Sequence, residues 1–255
     1  MFKTSLYTIF AAAGFAVLLS CSNVQSKQKA SVLPAVKTGS GIHVVELFTS
    51  EGCSSCPPAE RLIDALKAEG DSNVFVLSYH VDYWDHLGWK DPYSEAAFSD
   101  RQRQYAQRLS LESIYTPQVI VNGSEEFVGS DENRLRASLQ KANLNAIAIQ
   151  ASVKRITNEN VQLAYSSSSA SPLLLNVALL QPEATTDVKR GENEGRTLHH
   201  VNVVRALKTV DAQRSGTIEF ALPTELSKTL LTMIVFAQEK GTGKIMGATQ
   251  LNIPL

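Results

Sequence analysis

Two cysteines stand two residues apart in ELFTSEGCSSCPPAE, Glu46 to Glu60, and two prolines follow them at once. This spacing suits a reversible disulfide, a soft-metal clip or a short structural staple. A bridge between Cys53 and Cys56 closes so small a loop that it removes little entropy from the unfolded chain, which weakens the staple reading. A third cysteine, Cys21, lies at the end of an uncharged, largely apolar stretch, Leu6 to Leu19, behind Lys3. That stretch is too short for a membrane span and reads as an export signal, residues 1–21. Export would carry the chain to a setting where disulfides persist. Cys53 and Cys56 are then the only pair left. At a helix start, a cysteine meets unpaired N–H groups and the positive end of the helix dipole, both of which favour thiolate over thiol. Cys53 is the candidate nucleophile and Cys56, one turn on, the thiol that resolves a mixed disulfide.

A second cluster lies in YHVDYWDHLGWKDPYS, Tyr79 to Ser94, which holds two of the five histidines and both tryptophans. Three readings stand side by side. In one, Tyr83, Trp84 and Trp89 floor a groove for a peptide or small ligand, beside Asp82, while His80 or His86 tunes the thiolate. In another, Cys53 and Cys56 with His80 or His86 bind a soft metal, copper or zinc. In the last, the aromatics pack the loop down and the histidines are ordinary hydrogen-bonded residues. The pair His199-His200 invites a metal reading too, but neighbours on a strand face opposite ways, so one site is not expected to use both.

The elements that must position these residues follow from periodicity. IHVVELFT, Ile42 to Thr49, suits a buried strand. Pro57 to Glu69 repeats Ala59, Leu62, Ile63 and Leu66 at helical spacing, with Glu60, Arg61, Asp64 and Lys67 on the polar face. Asn73 to Trp84 contains a second strand, parallel to the first through a right-handed crossover, which places the aromatic loop on the same sheet edge as the cysteines. Glu95 to Leu109 predicts a helix, Gln118–Val121 and Glu126–Val128 a hairpin turned at Asn122-Gly123, and Asp131 to Ala142 a last helix capped by Ser130. From about Asn143 onward the pattern changes to seven short β-like runs, separated by Ser, Pro, Asn and Gly. They predict a separate β-rich, sandwich-like domain, residues 144–255. Its longest break, PEATTDVKRGENEGR, Pro182 to Arg196, reads as a solvated charged loop. Residues 22–41 read as a flexible tether.

The order of strand, Cys-x-x-Cys, helix, strand, helix, Thr-Pro, hairpin and helix over residues 42–143 resembles the thioredoxin superfamily. The resemblance implies an α/β thioredoxin-like domain. It also implies a cis Pro117 against the dithiol, with the backbone of Thr116 docking an incoming partner. Glu46 is the nearest candidate for the buried acid that takes the proton of the second cysteine. Ser54-Ser55 differs from the dipeptides between the cysteines of thioredoxin and its oxidising relatives, which leaves the direction of exchange open. Leu18-Leu19-Ser20-Cys21 resembles a lipobox, implying lipidation of Cys21, a membrane anchor and a periplasm-facing lipoprotein. With HVDYWDHLGWKDPYS, TPQVIVNG and GRTLHHVNVVR added, the chain is similar to a family of secreted bacterial thioredoxin-like proteins known only as a domain of unknown function, DUF 1223. The family supplies no reaction.

The formal charge of -1 arises from 24 basic and 25 acidic residues, which are interspersed and leave no field for a polyanion. Nucleic acid is not an expected partner. The expectation is an envelope thiol–disulfide oxidoreductase that acts on a protein or small thiol and needs no cofactor beyond the Cys53–Cys56 disulfide. The alternatives are a copper- or zinc-delivering protein using the same cysteines and a non-catalytic thioredoxin-like binding module.

Overall fold

Every residue of β1 (His43–Thr49) is buried, polar ones included, because this strand is covered on both faces and flanked on both edges. The structure, a computed structural model, describes residues 41–141, 146–157, 159–169, 171–223, 226 and 231–253. Strand β1 pairs in parallel with β2 (Val74–His80) and antiparallel with β3 (Gln118–Val121). Between β1 and β2 runs α1 (Pro57–Ala68), which carries its prolines at the first two helical positions, where a missing N–H costs nothing. After β2 come a 3-10 turn (Asp82–Leu87) and α2 (Ala96–Leu109). Strands β3 and β4 (Glu125–Val128) form the expected hairpin, and its tight turn holds Asn122 and Gly123 at φ 51° and 65°. Asn and Gly tolerate that left-handed conformation best. Helix α3 (Glu132–Leu139) is capped by Asp131, one residue later than expected, whose side chain accepts from the Arg134 N–H.

The seven later strands are present as β5 (Ile149–Ile156), β6 (Asn160–Ser167), β7 (Leu173–Asp187), β8 (Thr197–Ala212), β9 (Ser215–Ala221), β10 (Leu231–Glu239) and β11 (Ile245–Ile253). The expected arrangement, an α/β thioredoxin-like domain followed by a separate sandwich, is overturned. One mixed eight-stranded sheet runs through both halves in the order β11-β10-β7-β8-β2-β1-β3-β4, and only β5, β6 and β9 form a second, three-stranded sheet. The join is β8 against β2, parallel at Ser78 and Val203 and reinforced by Ser78 Oγ donating to the Val201 carbonyl and Asn202 Nδ2 donating to the Val76 carbonyl.

The physical reason is the length of one hairpin. Strands β7 and β8 have 15 and 16 residues, about 50 Å at ~3.3 Å per residue, roughly three times an ordinary strand. One end of the hairpin packs Leu173, Leu175, Val177 and Leu179 against the three-stranded sheet. The other end extends past that sheet to β2 and α1. On the opposite face Ala178, Leu180, Ile234 and Phe236 share one apolar cluster with Phe48, Tyr79, Phe98 and Tyr105. Helix α2 therefore seals the seam between the halves, which share a core.

Helix α2 also buries Arg101 and Gln102 beside Phe98 and Tyr105, although the sequence places them off its apolar stripe. Arg101 is drawn inward by Glu46: its Nε lies 2.6 Å from Glu46 Oε1, and Tyr105 OH donates to the other carboxylate oxygen.

Candidate functional site

Thr49 ends β1, and the chain then turns through Ser50, Glu51 and Gly52 into Cys53. Cys53 and Cys56 form a disulfide at the start of α1. Cys56 is the residue that caps the helix, without a side-chain cap bond. The N–H contribution expected at this helix start is largely spent. Pro57 and Pro58 have none, and the N–H groups of Ala59 and Glu60 both donate to the Cys56 carbonyl. What remains to stabilise a Cys53 thiolate is the helix dipole and the Ser55 hydroxyl, 3.3 Å from Cys53 Sγ. Cys53 is also less accessible than the sequence suggests. Both cysteines have 0% exposure, while Ser54 and Ser55 between them are exposed.

Part of what holds the cysteine turn comes from far along the chain. Asn193, fully buried, donates through Nδ2 to the Glu51 carbonyl at 2.8 Å and the Cys53 carbonyl at 3.0 Å. Glu192 accepts from both the backbone N–H and the hydroxyl of Ser54, at 3.0 and 2.7 Å. The stretch read as a solvated loop is thus in large part the β7–β8 hairpin, and its tip, residues 188–196, is tied onto the cysteine turn. Its charge-rich composition gave no sign of this, because the contact depends on where a hairpin that runs from Leu173 to Ala212 turns.

The peptide bond between Thr116 and Pro117 is cis, and Pro117 is buried. Trp84 connects this bond to the dithiol turn. Its Nε1 donates to Thr116 Oγ1 at 2.8 Å, and its Cβ lies so close to Gly52 that a side chain there would meet it at 3.1 Å. Pro117 in turn approaches α1 across Gly129, where an added Cβ would lie 3.1 Å from Ala59 and 3.2 Å from Pro117. The Thr-Pro loop, Trp84 and the cysteine turn are therefore neighbours.

The other loop residues spend their polar groups inward. Tyr83 OH donates to Gln102, Trp89 Nε1 donates to Glu51 at 2.7 Å, and the Asp82 carboxylate accepts from Ser99. These bonds fasten the loop, and Tyr83, Trp84 and Trp89 stay half-buried. His86 is exposed, whereas His80 is fully buried. Glu46 is placed on the α2 face of the sheet, bound to Arg101 and Tyr105. As β1 alternates, Val45 and Leu47 face α1, which turns Glu46 away from Cys56.

Beneath the cysteine turn, on the α1 face, lies a cluster the sequence did not single out. Glu60, expected on the polar face of α1, is only 8% exposed. It receives Thr49 Oγ1 at 2.6 Å and pairs with His200 Nδ1 at 2.8 Å. His200 Nε2 pairs with Glu51 at 3.0 Å. His80 Nδ1 lies 2.7 Å from Asp91, whose same oxygen accepts the Glu51 N–H at 2.8 Å. The two imidazoles meet edge to face at 4.8 Å, with Tyr93 beside both. Strand alternation does separate the adjacent histidines, since His199 is exposed and His200 buried. That alternation is the one sequence signal for the cluster, since it leaves one member of the pair to face inward.

Burial opposes charge on His200, but hydrogen bonds to Glu51 and Glu60 outweigh it and push its pKa up to about 10. Burial likewise opposes ionisation of Glu60 and Asp91. The His200 bond to Glu60, and His80 beside Asp91, hold both carboxyls below their usual range. The cluster is a hydrogen-bonded plug between α1, β2 and β8.

These features define a mixed-sheet protein with a covered Cys-x-x-Cys disulfide above a buried carboxylate–histidine cluster. The chain belongs to the family described as "Protein of unknown function (DUF1223)", whose model matches residues 44–238. It is similar to the crystal structure of protein AGR_C_4864 from Agrobacterium tumefaciens, with 28% identity and a TM-score of 0.62, covering 83% of this chain and 94% of that one. It is also similar to HBP35 of Porphyromonas gingivalis, with 16% identity and a TM-score of 0.59, covering 85% and 76%, a likeness of fold alone. No curated protein matches. A match to a family of unknown function carries no thioredoxin-like redox, lipoprotein or periplasmic label, so these descriptors are withdrawn. The expected export signal, the expected lipidation of Cys21 and all of the expected tether except Gly41 lie outside the described residues. Among the described residues no helix is long and apolar enough to cross a membrane.

Proposed function

We propose that this protein exchanges the Cys53–Cys56 disulfide with a thiol-bearing partner. The observation that carries the reading is the disulfide at the start of α1 with the Thr116-Pro117 loop beside it, joined through Trp84. In the oxidising direction a partner thiolate attacks Cys53 Sγ. The S–S bond breaks and Cys56 leaves as a thiolate that takes up a proton. A second partner thiolate then attacks the partner's own sulfur in the mixed disulfide and releases Cys53, which is protonated in turn. The partner loses two electrons and two protons, and the dithiol gains them. The reverse sequence reduces a partner disulfide.

Both sulfurs are buried, and Asn193 and Glu192 tie the cysteine turn through its carbonyls and Ser54, so exchange requires this region to open before attack. The same burial favours a second reading, a structural disulfide in a non-catalytic binding module. One experiment separates them. Equilibration of the protein with glutathione buffers, and trapping of a mixed disulfide on Cys56→Ser, measure exchange directly. Exchange readings predict a defined redox midpoint and a trapped Cys53 adduct in the native state. A disulfide that reacts only when the protein is unfolded would sink the exchange reading and leave the binding module.

A further inference from the structure

We propose that Glu60, His80 and His200 form a binding site for a divalent metal ion of the zinc class, buried one helical turn behind the dithiol. The site does not depend on exchange at the cysteines. One ligand atom from each of the three residues lies within 4.8 Å of the others. They come from α1, β2 and β8, so the site exists only because β8 joins the sheet beside β2. Two imidazoles and one carboxylate form a donor set suited to zinc, iron or nickel, and with three protein ligands a position stays open.

The hydrogen bonding is that of ligands already oriented. A metal-binding imidazole is commonly held through its other ring nitrogen by a carboxylate, which fixes the ring and its tautomer. Both histidines are held in this way: His80 through Nδ1 by Asp91, and His200 through Nε2 by Glu51. Their remaining nitrogens are His200 Nδ1, directed at Glu60, and His80 Nε2. His80 Nε2 is buried without any hydrogen-bond partner, in a residue with 0% exposure. A purely structural histidine in so polar a cluster would be expected to satisfy that nitrogen, because a buried polar atom left unpaired bears its full desolvation penalty. Coordination would satisfy it.

Charge points the same way. Glu51, Glu60 and Asp91 bring three carboxylates into one buried cluster, and among the described residues no lysine or arginine hydrogen-bonds to any of them. Coordination would take the place of the proton between His200 Nδ1 and Glu60, now 2.8 Å apart, and would draw together ligand atoms that lie within 4.8 Å of one another. Cys56 caps α1 and Glu60 follows four residues later, so the cluster lies one helical turn from the dithiol.

The test keeps the Cys53–Cys56 disulfide oxidised, so the thiols cannot ligate. The full chain is stripped with EDTA and supplied with Zn2+ or Co2+, both when folded and during refolding, because the ligand atoms are buried. Native mass spectrometry gives stoichiometry, calorimetry gives affinity, and Co2+ absorption reports the donor set. The expected result is one ion per chain, Co2+ d–d bands without thiolate charge transfer, and a raised melting temperature. Asp91→Asn should weaken binding about 10–100-fold, the usual loss when a carboxylate holding a ligating imidazole is removed, and His80→Ala by more. A double Cys53→Ser/Cys56→Ser variant should bind as the wild type does. No stoichiometric ion on the oxidised wild type by either route, binding only after reduction, or undiminished binding by folded His80→Ala each overturns the site. Should His80→Ala fail to fold, the wild-type Co2+ spectrum decides alone. Disulfide exchange, measured separately, can fail or succeed without changing any of these outcomes.

Discussion

Two groups of buried charge lie on opposite faces of the same sheet, and they are built differently. Under α2, Glu46 and Arg101 pair one to one, with Tyr105 donating to the carboxylate and Gln238 donating to Tyr105. Charges balance, and each charged group is hydrogen-bonded. Under α1, three carboxylates surround two imidazoles, and one imidazole nitrogen has no partner. A buried pair that balances needs nothing further from its surroundings, whereas a surplus of carboxylate with an unsatisfied nitrogen is poised for a proton or a cation. The first group fastens α2 across the seam between the halves. The second lies where function is most readily sought, below the disulfide.

The largest expected effect breaks the balanced group. Glu46→Ala leaves the Arg101 guanidinium buried without its counter-charge and should cost about 3–5 kcal/mol, read from urea unfolding. Replacing both by apolar residues, Glu46→Leu with Arg101→Met, should recover most of that loss and leave disulfide exchange unchanged. If the double variant altered exchange, the group would be more than a fastener.

The next effect separates the groups by pH. His200 has its pKa raised from 6.5 to about 10 in the fold, so its charge contributes stability that is fully present below pH 6.5 and is lost as pH rises through about 10. Glu60 is lowered from 4.5, so its contribution holds above that value and is lost as pH falls through its folded pKa. With chelator present, wild type should lose stability steadily over the alkaline window. His200→Gln should start lower and show a flatter alkaline limb; equal slopes would refute the assignment.

Smaller effects follow at the cover. Asn193→Ala removes the side-chain donor of the Glu51 carbonyl and leaves the Cys53 carbonyl only the Cys56 N–H; it should cost about 1–3 kcal/mol, while the disulfide reacts faster with dithiothreitol. Glu192→Ala removes an exposed carboxylate from Ser54 and should leave the melting temperature unchanged while modestly speeding the same reduction. Unchanged reduction rates in both variants would show that the hairpin tip does not gate the sulfurs.

Much of the first half of the fold was legible locally. Buried runs gave β1 and β2, helical spacing gave α1 and α2, and Asn122-Gly123 marked the hairpin. Each of these signals lives within about ten residues. The seven later strands were legible in the same way, but their pairing was not. Periodicity tells which face of a strand is apolar and says nothing about which edge it will meet. That is why β8 joining β2, and with it one continuous sheet, could not be read from composition that changes near Asn143.

The same boundary divides the site. The spacing of Cys53 and Cys56, the helix that follows them and the Thr-Pro dipeptide are local, and the amino-acid sequence alone determined that a dithiol would stand at a helix start. It also determined that His199 and His200 would face apart. Tertiary structure decided which of them turned inward, that Glu60 would be covered, and that Asn193 would close over a turn 140 residues away in sequence. Long-range pairing of β8 supplied all three, because a strand's neighbours are chosen by the packing of the whole sheet and not by the residues beside it in the chain.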